Sequence, residues 1–213
     1  MSNLREQLEQ ILQGRVCLMG LGNAEYGDDG FGVRLAEELK TEVRSPKSEG
    51  RMEAPSGDDS DFGLRRTSDF GLQSRIIIAG TMPERILNRV VAEGFDQIVF
   101  LDAVEFGGAP GSVILLNSEE MAARFPQIST HKLSLSLLAK QIAANGRTKA
   151  WLLGVQPESL KPGGELTPTV QATLGLLLAL LRAGLESQPG EVAQDCLCLS
   201  RGLKSGRGQP HSK

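Results

Sequence analysis

The chain has 213 residues, 40% of them hydrophobic, with 23 lysines and arginines against 26 aspartates and glutamates. That length suffices for one domain with a sizeable core, and a net charge of −3 leaves no strong field to draw nucleic acid or an anionic membrane surface. Cys17, Cys196 and Cys198 make no disulfide framework, so the expected compartment is the cytoplasm.

The opening "MSNLREQLEQILQG" carries charges where a secretory signal needs an unbroken apolar stretch, and reads as a short amphipathic helix. "RVCLMG" (15–20) is a first strand and "DDGFGVRLAEELK" (28–40) a helix. "RIIIAG" (75–80) is a second strand, after which Pro83 opens a helix, as proline suits a first helical turn. "QIVFLDAV" (97–104) is a third strand, so uniformly apolar that it belongs at the centre of a parallel sheet. "GSVILLN" (111–117) is a fourth strand, "THKLSLSLLAKQIAANG" (130–146) a helix ended by Asn145-Gly146, and "KAWLLGV" (149–155) a fifth strand. "TPTVQATLGLLLALLRAGL" (167–185) is the last helix, and its apolar run from Leu174 is too short to span a bilayer and is broken by Arg182. Strands alternating with helices predict an α/β fold with a largely parallel sheet.

Two segments stand outside that pattern. Residues 44–74 are rich in serine, glycine and mixed charge and repeat "SDFGL" at 60–64 and 68–72, the composition of a disordered insertion. Residues 187–213 read as a disordered tail. Its Cys196-x-Cys198 pair lacks the neighbouring ligands a structural metal site needs.

The turn "GLGNAEYGDDGFG" (20–32) first invites a phosphate-binding reading. Asp28 and Asp29 argue against it, since they stand at the helix start where a pyrophosphate would sit and would repel it. The second strand ends in glycine where a ribose-binding acid would be needed. Helix capping accounts for one of the two aspartates and leaves the other available. Asp102 closes "IVFLD" at the carboxyl end of the expected central strand, the edge where open α/β sheets bind ligands. A carboxylate leaving a buried strand is costly unless paired, protonated or bound to metal. The glycine-rich "EFGGAPG" that follows is expected to be a flexible loop able to admit substrate. His131 opens a helix near the same edge, where the helix dipole keeps its imidazole neutral and a ring nitrogen free. Asp29, Asp102 and His131 together offer two hard oxygens and one nitrogen, a set suited to nickel, zinc or manganese. No "GxSxG" serine is present, and Cys17 lies in mid-strand.

Four stretches in order carry a family likeness: "GLGNAEYGDDGFG", "AGTMPE" (79–84), "FLDAVEFGGAPG" with "STHKLSL", and "LLGVQPESL" leading into "LTPTV". Over residues 14–186, the insertion aside, the chain resembles the [NiFe]-hydrogenase maturation endopeptidases, and "GVQP" with "AGTxPE" points to the branch serving group 4 or formate-linked hydrogenases. The resemblance implies a single α/β domain over residues 1–186, with a twisted five-stranded sheet flanked by helices, phosphorylase/hydrolase-like. It also implies a cytoplasmic, monomeric peptidase of aspartic-type grouping that removes a C-terminal peptide from the precursor of the hydrogenase large subunit. The family's metal-binding positions fall on Asp29, Asp102 and His131, which would contact nickel already carried by that precursor and orient the scissile bond. Gly30 and Gly32 are expected to allow close backbone approach, and Gly107-Gly108 to form a mobile substrate loop. Glu25-Tyr26 departs from the apolar or basic pair often found in the family's first loop, and neither the insertion nor the tail is a family feature. A chaperone that binds the nickel site without cutting would use the same three residues. A peptidyl-tRNA hydrolase, which also opens on "GLGN", would need an early histidine and a basic RNA-facing surface, and this chain has neither.

Overall fold

The computed structural model describes residues 3–42, 74–125, 135–144 and 146–187. The expected insertion and tail, with Cys196 and Cys198, lie outside these residues, except that Ser74 opens a strand and Ser187 caps the last helix. In chain order the elements are α1 (Leu4–Ile11), β1 (Val16–Leu21), a 3-10 turn (Gly27–Gly30), α2 (Phe31–Glu42), β2 (Ser74–Gly80), α3 (Glu84–Ala92) and β3 (Gln97–Ala103). There follow β4 (Val113–Asn117), α4 (Ser118–Arg124), α5 (Leu135–Ala143), β5 (Lys149–Val155) and α6 (Pro168–Glu186).

The described strands form one sheet in the order β2-β1-β3-β5-β4, parallel except for β4, which runs antiparallel to β5. The alternation of side chains along each strand divides the core into two apolar layers. Val16, Leu18, Val99 and Leu101 pack with α1, α2 and α6. Cys17, Met19, Ile98 and Phe100 pack on the other face with α3, α4 and α5. The central strand β3 is buried on both faces from Ile98 onward, as its unbroken apolar run requires.

Two elements differ from expectation. The helix expected from residue 28 begins as a 3-10 turn, and α2 proper starts at Phe31. Helix α4 was not foreseen. Its start signal is Asn117, whose side chain accepts the Glu119 and Glu120 amides at 2.9 Å while the Glu120 carboxylate returns to the Asn117 amide. That reciprocal capping box is written in "NSEE".

Among the described residues α6 is the one helix long and apolar enough to cross a membrane by length and composition. Its Val170, Leu174, Leu177, Leu181 and Leu185, at spacings of three and four, are buried in the core instead. Each buried leucine contributes about 1.5–3 kcal/mol there.

Candidate functional site

The strand order places the site. From β1 the chain passes to β2 on one side and then to β3 on the other, so the carboxyl ends of β1 and β3 flank a topological switch point. In open α/β sheets the crevice at such a point receives ligands. The turn after β1 carries Asp29, and β3 delivers Asp102 one residue before its end.

Glycines bring these two turns together. A Cβ on Gly22, whose φ is +110°, would stand 1.8 Å from the Asp29 carbonyl oxygen and 3.8 Å from Asp102 Oδ1. A Cβ on Gly32 would lie 1.9 Å from the carbonyl oxygen of Leu101 and 2.6 Å from that of Leu21. The first turn of α2 therefore rests directly on the backbones of β1 and β3, a contact only glycine allows. Gly30 likewise abuts Ala24. The expected close backbone approach at Gly30 and Gly32 is what these positions supply.

Asp29 is 8% exposed and Asp102 1%. Asp29 Oδ2 accepts the Asn23 amide at 2.8 Å, whereas its Oδ1 is buried without a hydrogen-bond partner. Asp102 Oδ1 accepts the amide of Ala103 at 2.9 Å. A buried carboxylate oxygen left unsatisfied is costly. This donor chemistry fits a divalent cation presented to the crevice. His131 lies outside the described residues. Among the described residues no three His, Cys, Asp or Glu side chains gather as a metal-binding group.

Asp28 has a different role from the helix cap considered for it. The 3-10 turn has no side-chain cap, and the Asp28 carboxylate, fully buried, reaches across to the β5–α6 connection. Its Oδ2 accepts the amides of Glu158 at 2.8 Å and Ser159 at 2.9 Å, and its Oδ1 accepts the Thr167 amide at 2.7 Å. The Thr167 hydroxyl donates to the same carboxylate. The Arg34 guanidinium adds a bond to the Gly164 carbonyl, and the Gly163 amide donates to the Glu25 carbonyl at 3.1 Å. The departure at Glu25-Tyr26 thus sits in a turn fixed from both sides, with Tyr26 itself 44% exposed.

The loop after Asp102 is also held rather than loose. Gln156, the first residue beyond β5, accepts the amides of Phe106 at 2.9 Å and Gly108 at 3.2 Å through its side-chain oxygen. Gln156 is a residue the sequence reading missed. Its only signal there was membership of "GVQP". Cys17 does not enter the chemistry, because burial pushes its thiol up to about 12.

The arrangement is that of an α/β protein with two buried aspartates at a sheet switch point. A family model described as hydrogenase maturation protease, HycI, matches residues 63–182. The chain is 29% identical over 189 residues to the hydrogenase 2 maturation protease of Escherichia coli strain K12, across 85% of this chain and 99% of that one. Among solved structures, the [NiFe] hydrogenase maturation protease HycI from Thermococcus kodakarensis KOD1 superposes with a TM-score of 0.64 at 27% identity, covering 84% of this chain and 99% of that one. The hydrogenase maturating endopeptidase HybD from E. coli gives 0.58 at 29% identity, over 80% and 91% respectively. The chain belongs to the hydrogenase maturation protease family, and its fold is that of these endopeptidases.

Proposed function

We propose that this protein is the endopeptidase that removes a C-terminal peptide from the nickel-loaded precursor of a [NiFe]-hydrogenase large subunit, acting in the cytoplasm. The observation that supports the metal-dependent part is the Asp29 carboxylate, buried with one oxygen unpartnered in the turn after β1, at the switch point whose other side carries the buried Asp102. Oxygen donors so placed suit a hard or borderline divalent ion, and here that ion arrives with the substrate. Asp29, Asp102 and His131 are the residues assigned to contact it and, through it, to align the scissile bond. Bound metal supplies Lewis-acid polarisation of a carbonyl or water. The chain's own part is to orient its two carboxylates in advance, Asp29 through the Asn23 amide and the Asp28 tether, Asp102 through the β-ladder. The two buried aspartates, Asp29 and Asp102, support an aspartic-type grouping.

The test is mass spectrometry of a cognate large-subunit precursor incubated with the protein, with and without nickel loading. Asp29→Asn and His131→Ala variants run in parallel. Nickel-dependent loss of a C-terminal peptide, abolished in both variants, is the expected result. An intact precursor held in a stable complex would overturn the proteolytic reading and leave a nickel-site-binding chaperone.

A further inference from the structure

The two walls of the crevice come from distant parts of the chain, and both are fastened to the β5–α6 connection. On the β1 side the fastener is Asp28. On the β3 side it is Gln156, which is 9% exposed and engages the loop 104–112 at both its middle and its far end. Its side-chain oxygen takes the Phe106 and Gly108 amides, its backbone amide donates to the Ser112 carbonyl at 2.8 Å, and its carbonyl accepts the Gly111 amide at 2.9 Å. Two N–H donors converging on one side-chain atom require the oxygen there, because the amide nitrogen would oppose them with its own hydrogens.

Little else fixes the tip of that loop. Glu105, Gly107, Ala109 and Pro110 are exposed, and a Cβ on Gly107 would meet nothing within 4 Å. Phe106, and Val104 at the start of the loop, reach back to the apolar layer. The loop begins two residues after Asp102, and its exposed glycine backbone allows close approach of an extended peptide.

We infer that Gln156 is a positioning residue that holds the loop 104–112 as the peptide-facing wall beside Asp102. The substrate segment it serves is the extended stretch of precursor that flanks the scissile bond, so the inference rests on the proteolytic reading above. Asp102 is held independently, by its register opposite Gly154 and by the Ala103 amide. Loss of the Gln156 side-chain oxygen therefore weakens the seating of the peptide while sparing the step that follows.

Full-length protein carrying Gln156→Leu or Gln156→Glu is assayed on a cognate nickel-loaded precursor for KM, kcat and binding affinity. Amide hydrogen exchange is read on the same samples. Gln156→Leu is expected to raise KM about tenfold with kcat within about twofold, and to accelerate exchange at Phe106 and Gly108 by a comparable factor. Gln156→Glu, which retains an acceptor oxygen, restores both readouts to within about threefold. An unchanged KM in Gln156→Leu, or a loss confined to kcat, overturns the inference. So does unaltered exchange at the two amides. If wild-type protein binds the precursor without cutting it, the proteolytic reading fails, yet about tenfold weaker binding by Gln156→Leu still supports the positioning role. Wild-type protein that neither binds nor cuts overturns both.

Discussion

Replacing Asp28 with alanine removes the acceptor of three backbone amides and one hydroxyl, at donor–acceptor distances of 2.7–3.1 Å. Hydrogen bonds to a charged group contribute about 1.5–3 kcal/mol each, and a buried donor stripped of its partner costs about 1–3 kcal/mol. The donors are only partly buried, so water re-solvates them in part and the lower end of the range applies. Three stranded amides then give a loss of about 3–5 kcal/mol, against a total stability of about 5–15 kcal/mol for a domain of this kind. Asp28→Asn keeps one oxygen but turns an amide nitrogen toward the remaining donors, so about half of that loss is expected. Urea unfolding followed by circular dichroism measures both, with the slope checked against wild type so that the midpoint reports stability alone. A loss below about 1 kcal/mol in Asp28→Ala would refute the view that this carboxylate ties the first turn to the β5–α6 connection.

Three further outcomes follow from the same geometry. Asp29→Asn keeps an oxygen for the Asn23 amide and removes a buried charge with an unpartnered oxygen, so the variant should lose precursor cleavage yet unfold within about 1 kcal/mol of wild type or later; strong destabilisation in the same urea assay would contradict it. Gly32→Ala drives a methyl group into the carbonyl oxygens of Leu101 and Leu21, and a cost of at least about 3 kcal/mol is expected, read as a lowered thermal midpoint or loss of soluble protein. Burial holds the Cys17 thiol protonated up to about 12, while the unfolded chain ionises near 9.0, so between those values the unfolded state carries fewer protons and stability falls as pH rises. Below pH 9 that contribution is complete, and the stability gap between wild type and Cys17→Ala should narrow from pH 9 upward. A gap that stays constant up to pH 11 would exclude this linkage.

Much of the architecture is legible locally. The uninterrupted "IVFL" needs two apolar faces, so a central strand ending in Asp102 could be read from composition and periodicity alone. The alternate burial of Val16, Cys17, Leu18 and Met19 between two layers follows from the same logic. The role of Asp28 was not legible, because its partners lie 130–139 residues away and local reasoning offers only a cap. Gln156 was hidden for the same reason, about 50 residues from the amides it holds. Helix α4 is signalled in the sequence by its capping box alone, its seven residues being too few for a clear apolar period. The switch point itself requires strand order, which no single segment encodes.

The position of β5 between β3 and β4 has a consequence for how the protein acquires activity. During synthesis β4 emerges before the strand that pairs with it, so it has no partner in the sheet until Lys149–Val155 follows. The donors for Asp28 come later still, at residues 158–167. Closure of the crevice is thus among the most non-local steps of folding, and such steps come late and slowly. A nascent chain that has already made both aspartates holds them in a half-built sheet, and the competent arrangement exists only once the last quarter of the domain has threaded into place.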